Sequence, residues 1–98
     1  MTTRAAGSKN GTVIMGISVN VDAKAVESMA NDFWFLDDFT SDEPTSQFRS
    51  FTRLLKAALG DSYKSVLKEL QGDDEVLSIE KVSAFANEVF KANDSLKN

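Results

Sequence analysis

An apolar stripe set between two helix punctuation marks constrains this chain most. Phe48, Phe51, Leu54, Leu55, Ala58 and Leu59 recur at steps of three and four, with Arg49, Arg53 and Lys56 off the stripe. That period lines one face of an α-helix and fits no β-strand. Pro44 stands at the start, behind Asp42 and Glu43, whose charge suits a helix N-terminus. Gly60 follows the last stripe residue, where helices are commonly stopped. The spacing predicts a helix over 44–59. Its apolar face needs partners, and the downstream chain repeats the same pattern. Tyr63, Val66, Leu67 and Leu70 lie between Asp61 and Gly72, and Ile79, Val82, Phe85, Ala86, Val89 and Phe90 follow Ser78. Helices near 61–71 and 79–92 are expected, with Asp61 and Ser78 as caps. Their packing should run through Phe51, Leu55, Leu59, Val66, Leu70, Val82, Phe85 and Val89. Short connections favour antiparallel neighbours.

The N-terminal part reads differently. Residues 1–11 are small and polar, a flexible arm with a turn signal at Asn10-Gly11. From Thr12 the period changes to two: Val13, Met15, Ile17, Val19 and Val21 alternate with smaller or polar residues, as in a half-buried strand. Gly16 inside that run suggests a bulge or a close backbone approach. Asp22 caps Ala23 to Ala30, and Asn31-Asp32 can cap Phe33 to Phe39, as two short helices or one longer one. The fold class expected is mainly α: a short N-terminal β element followed by a compact bundle of three to four helices. Residues 12–92 form the single domain, as befits a chain of 98 residues, and 93–98 a polar tail.

Composition removes many chemistries. The chain has no Cys and no His, so thiolate and imidazole ligands, thiol nucleophiles and the commonest general base are all missing. No cofactor, metal site or enzymatic activity is expected. Eleven basic against fifteen acidic residues give a net charge of −4, with the basic ones scattered, which argues against nucleic acid. No apolar run approaches the ~20 residues needed to cross a bilayer. Val13-Ile14-Met15-Gly16-Ile17 is too short for a signal peptide, so a cytoplasmic location is expected.

Three acidic features are candidate sites. Gly72-Asp73-Asp74-Glu75 between two helices has the outline of a calcium-binding EF-hand loop. Its Gly comes first, Val76 and Leu77 occupy ligand positions, and Ala84 falls twelfth if Asp73 is first. It reads as a solvated turn. The pairs Asp37-Asp38, Asp42-Glu43 and Asp73-Asp74 are adjacent in sequence and do not face one another on a helix. The third feature is Asp32-Phe33-Trp34-Phe35-Leu36-Asp37-Asp38-Phe39, whose large apolar residues cannot share one helical stripe. Some of them must face a second surface. Phe33, Trp34, Phe35, Asp37, Asp38 and Phe39 are therefore the candidate partner-binding residues, an aromatic ridge rimmed by acid.

Taken in order, these segments resemble the tail assembly chaperones of long-tailed (siphovirus-type) bacteriophages and prophages. The likeness covers residues 13–98 and rests on five segments: the strand Val13 to Val21; the Asp32-Phe33-Trp34-Phe35-Leu36 helix; Leu54-Leu55-Lys56-Ala57-Ala58-Leu59-Gly60; Asp61-Ser62-Tyr63-Lys64-Ser65-Val66-Leu67; and the acidic turn Gly72 to Glu80, before a close on Leu96-Lys97-Asn98. The acidic turn departs from the pattern in lacking a glycine after its aspartates. The resemblance implies a non-structural morphogenesis factor that binds and solubilises the tape measure protein and helps recruit the major tail protein, with self-association a further option. The short form of a frameshifted pair would correspond to this chain. A small acidic adaptor, an inhibitor of a host protein and a degenerate EF-hand-like protein are the competing readings.

Overall fold

The computed structural model describes residues 9–96. Two strands, β1 (Lys9–Ile14) and β2 (Ile17–Asp22), form an antiparallel hairpin. Five α-helices follow: α1 (Ala23–Ala30), α2 (Phe33–Phe39), α3 (Pro44–Leu59), α4 (Tyr63–Gln71) and α5 (Ile79–Leu96). The architecture is mainly α with an N-terminal β element, as the periodicity predicts, and the 22–39 region is two helices.

The hairpin corrects the single strand expected over 12–21. Met15 and Gly16 both take positive φ, 51° and 83°, the backbone of a two-residue type I′ turn. The chain therefore reverses at Gly16, where a bulge or close approach was expected, and Asn10-Gly11 lies within β1. Register follows from the turn. Ile14 pairs with Ile17, Val13 with Ser18 and Thr12 with Val19, and residues opposite one another share a face. Ile14, Ile17, Val19 and Val21 are buried, whereas Val13 and Met15 are 66% and 46% exposed. The period-two pattern holds along β2, but on β1 the core residue is Ile14, one position out of phase with it. Of the expected arm, Lys9 to Gly11 belong to β1 and residues 1–8 lie outside the described residues.

Local chemistry starts each helix. The Asp22 side chain accepts from the Ala25 N–H at 3.1 Å and so caps α1. Ser78 does the same for α5, its Oγ accepting from the Lys81 N–H at 3.1 Å. Pro44 occupies the first turn of α3, and Gly60, with φ of 56°, ends it in a conformation that suits glycine. Asp61 is not a cap. A 3-10 turn over Gly60–Ser62 leads into α4, and Ser62 Oγ donates back to the Leu59 carbonyl at 2.8 Å. Without Gly or Pro after Ala92, the backbone of α5 runs helically to Leu96, through four of the six residues expected as tail.

α3 is the hub, in contact with β2, α1, α2, α4 and α5. All eight packing positions expected from the sequence are buried, none more than 7% exposed. Ser50 is the buried polar residue on α3, and its hydroxyl is satisfied by the Gln47 carbonyl at 2.6 Å.

The turn yields a direct test. A left-handed non-glycine residue costs roughly 1–2 kcal/mol, and Asn tolerates that region better than Met. Met15→Asn should raise the midpoint of chemical denaturation, and Gly16→Val should lower it. Equal midpoints for parent and both variants would show that the chain does not turn at these residues.

Candidate protein-binding surface

The acidic-aromatic segment becomes α2, a helix of seven residues held at both ends. Asp32 Oδ1 accepts from the Trp34 N–H at 2.9 Å and more loosely from Phe35 at 3.4 Å. At the other end Thr40 donates to the Leu36 carbonyl through both its N–H, at 3.0 Å, and its hydroxyl, at 2.8 Å. These caps matter because so short a helix has little stability of its own.

Its side chains divide between two directions. Phe35 is fully buried and Phe39 half-buried, in an aromatic cluster with Phe51 of α3 and Phe90 of α5. Centroids lie 5.2 Å apart for Phe35–Phe39, 5.4 Å for Phe39–Phe51 and 4.8 Å for Phe39–Phe90. Phe33 and Trp34 point outward, 65% and 71% exposed, and their rings meet edge to face at 4.9 Å. The geometric argument for a second surface therefore holds for Phe33 and Trp34. Phe35 and Phe39 belong to the core, because positions three and seven past the cap face α3 and α5.

The acids divide as well. Arg53 lies 3.9 Å from Asp32 Oδ2 and over the Phe35 ring at 5.9 Å, and Arg49 lies 3.9 Å from Asp38 Oδ2. Pairs this long and this exposed are worth about 0–1 kcal/mol, yet they tie both carboxylates to α3. Asp37 is exposed and has no ion pair among the described residues. Phe33, Trp34 and Asp37 remain as the outward ridge.

The acidic loop after α4 has an occupant of its own. Lys81 Nζ donates to Asp74 Oδ2 at 3.1 Å and to the Leu70 carbonyl at 3.0 Å. Gln71 Nε2 adds a bond to the Asp74 carbonyl at 2.9 Å. The Lys81 ammonium thus bridges the end of α4 and the Asp74 carboxylate. Among the described residues no group of three or more His, Cys, Asp or Glu is placed to hold a metal. None of the described helices is long and apolar enough to cross a membrane.

The periodicity missed a second apolar surface. Tyr63 and Leu67 read as part of the α4 core face, but both are only half-buried. With Leu77 they line a shallow groove of about 270 Å³, flanked by Lys64 and Lys68. The sequence signal was Lys64 and Lys68 at i, i+4 directly beside the apolar positions. No family model, curated protein or solved structure matches this chain.

Two outcomes follow from this geometry. Trp34→Ser should change stability by no more than about 0.5 kcal/mol, whereas Phe35→Ala should cost about 3–5 kcal/mol. Equal losses in urea denaturation would place both rings in the same environment and contradict the two-faced helix. Millimolar calcium should leave the melting temperature unchanged in the parent protein, since Lys81 already neutralises Asp74. A saturable rise would mean that the ion displaces that ammonium.

Proposed function

We propose that this chain works by binding another protein, through the ridge formed by Phe33, Trp34 and Asp37 on α2. One observation carries the reading: two large aromatic side chains stand more than half exposed on a helix whose opposite face is locked into the core. Solvating such rings is costly, and Trp is the residue most characteristic of binding hot spots. The ridge has acid on its flank, a pattern suited to an apolar surface that must also be kept dispersed.

The role we assign is that of a phage tail assembly chaperone, acting in the cytoplasm of the bacterial host. Its partner would be a tape measure protein, whose long apolar helical faces the ridge would mask by side-by-side helix contact until tail subunits polymerise. Support comes from the order of sequence segments that resembles that family, from the exposed ridge and from the net charge of −4. Recruitment of the major tail protein belongs to the same proposal and rests on the resemblance alone.

The test is co-expression with fragments of a tape measure protein. The parent chain should bring the fragments into the soluble fraction with several copies bound to each. Trp34→Ser, melting within a few degrees of the parent, should reduce the soluble yield severalfold. A stable Trp34→Ser variant that still protects the fragments would remove the ridge from the mechanism. A single copy bound per partner would favour an adaptor or inhibitor.

A further inference from the structure

The groove on α4 differs from the α2 ridge in the sign of the charge beside it. We propose that the groove is a second binding site, for a short acidic amphipathic helix of another protein. The segment it takes presents one or two large apolar side chains, with carboxylates one helical turn apart next to them. This inference goes beyond the proposed function and does not depend on the ridge.

Tyr63, Leu67 and Leu77 form the apolar floor. Val76 and Ile79, on either side of Leu77 in the chain, are 72% and 62% exposed and add apolar surface next to it. Tyr63 and Leu67 are four positions apart, so the floor runs along α4 rather than across it. At about 270 Å³ the space lies below the range of about 300–1,000 Å³ usual for small-ligand pockets. It suits one or two inserted side chains.

Charge selects the occupant. Of the cations on α3, α4 and α5, Arg49, Arg53, Lys81 and Lys91 each have an ion pair. Lys56, Lys64 and Lys68 have none among the described residues, and all three stand at this groove. Lys64 and Lys68 line it, and Lys56 Nζ lies 5.7 Å from the centroid of the Tyr63 ring. In a chain of net charge −4 this is a local reversal of sign. Lys64 and Lys68 are exposed and one helical turn apart, the spacing at which two carboxylates recur on a partner helix. A basic or purely apolar occupant would cover these ammonium groups without compensation.

Other occupants fit less well. Residues 1–8 and 97–98 contain Arg4 and Lys97 but no Asp or Glu, so they share the sign of the lysines. The α2 ridge is exposed in the folded chain and does not fill the groove of its own molecule. A second copy's α2 would bring one unpaired carboxylate, Asp37, because Arg53 and Arg49 already hold Asp32 and Asp38. Nucleic acid phosphates would answer the lysines and leave Leu67 and Leu77 uncovered. An acidic amphipathic helix answers both the floor and the charge.

Amide spectra of the isotope-labelled full chain test this. The probe is a short alanine-based helical peptide with two Leu one turn apart and two Glu one turn apart beside them. It should shift the amides of Tyr63 to Gln71 and of Leu77 saturably, and bind more weakly as salt is raised. Lys64→Glu with Lys68→Glu, which alters only exposed side chains, should weaken binding at least about tenfold. Exchanging the peptide's Glu for Lys should do the same to the parent chain and restore binding to the double variant. Trp34→Ser should bind the peptide as the parent does. No shift at millimolar peptide would overturn the inference, as would equal affinity for the acidic and basic peptides. Shifts centred on Phe33 to Phe39 would overturn it by placing the peptide on the ridge. A single-stranded oligonucleotide that moves the same amides at lower concentration than the peptide would make the groove a phosphate site and overturn it too. So would α4 shifts that grow with protein concentration alone and that the peptide leaves unchanged, which would assign the groove to a second copy. None of these failures touches the tape measure test, which reads the ridge.

Discussion

The buried face of α3 is the constraint on which the structure depends. Phe51, Leu54, Leu55, Ala58 and Leu59 are at most 3% exposed, and each element with a buried face turns it toward this stripe or its neighbours. A chain of this length has surface enough for only one such core. Once α3 is committed, the hairpin, α1, α2, α4 and α5 compete for its circumference. The short helices receive what remains. α2 therefore packs by one side, through Phe35, Leu36 and Phe39, and its other side is left to solvent.

How far the sequence discloses this depends on whether a residue's environment is set locally. The helices of the C-terminal half are legible because stripe, cap and stop agree, as with Ser78 before α5 and Gly60 after α3. The hairpin is less so. Val13 and Ile14 are both β-branched and apolar, and only the turn at Met15-Gly16 decides which of them faces inward. Met is an unusual residue for a left-handed turn, and Gly16 beside it fits a bulge as well as a reversal. The strongest turn dipeptide, Asn10-Gly11, lies instead within a strand, where pairing with Asn20 and Val21 overrides its preference.

The candidate surface was half legible. Crowding of apolar residues in α2 shows that a second surface must exist, but four rings in seven positions leave their assignment open. Packing against Phe51 and Phe90 makes that assignment, and those residues lie far away in sequence. The α4 groove was illegible for the converse reason. Tyr63 and Leu67 have core periodicity, and only the edge of the α3 face, together with Leu77 arriving from the following loop, leaves them half-covered.

The Lys81 bridge also bears on the shape of the α4 groove. By holding the Leu70 carbonyl of α4 and the Asp74 carboxylate at once, it fastens the loop whose Leu77 lines the groove with Leu67. The groove is thus shaped before anything enters it. Binding to a preorganised site forfeits little loop entropy, so even a modest contact can be specific. Neutralising that single ammonium, for instance by acetylation, would remove both bonds and let the groove wall drift without altering any residue that lines it.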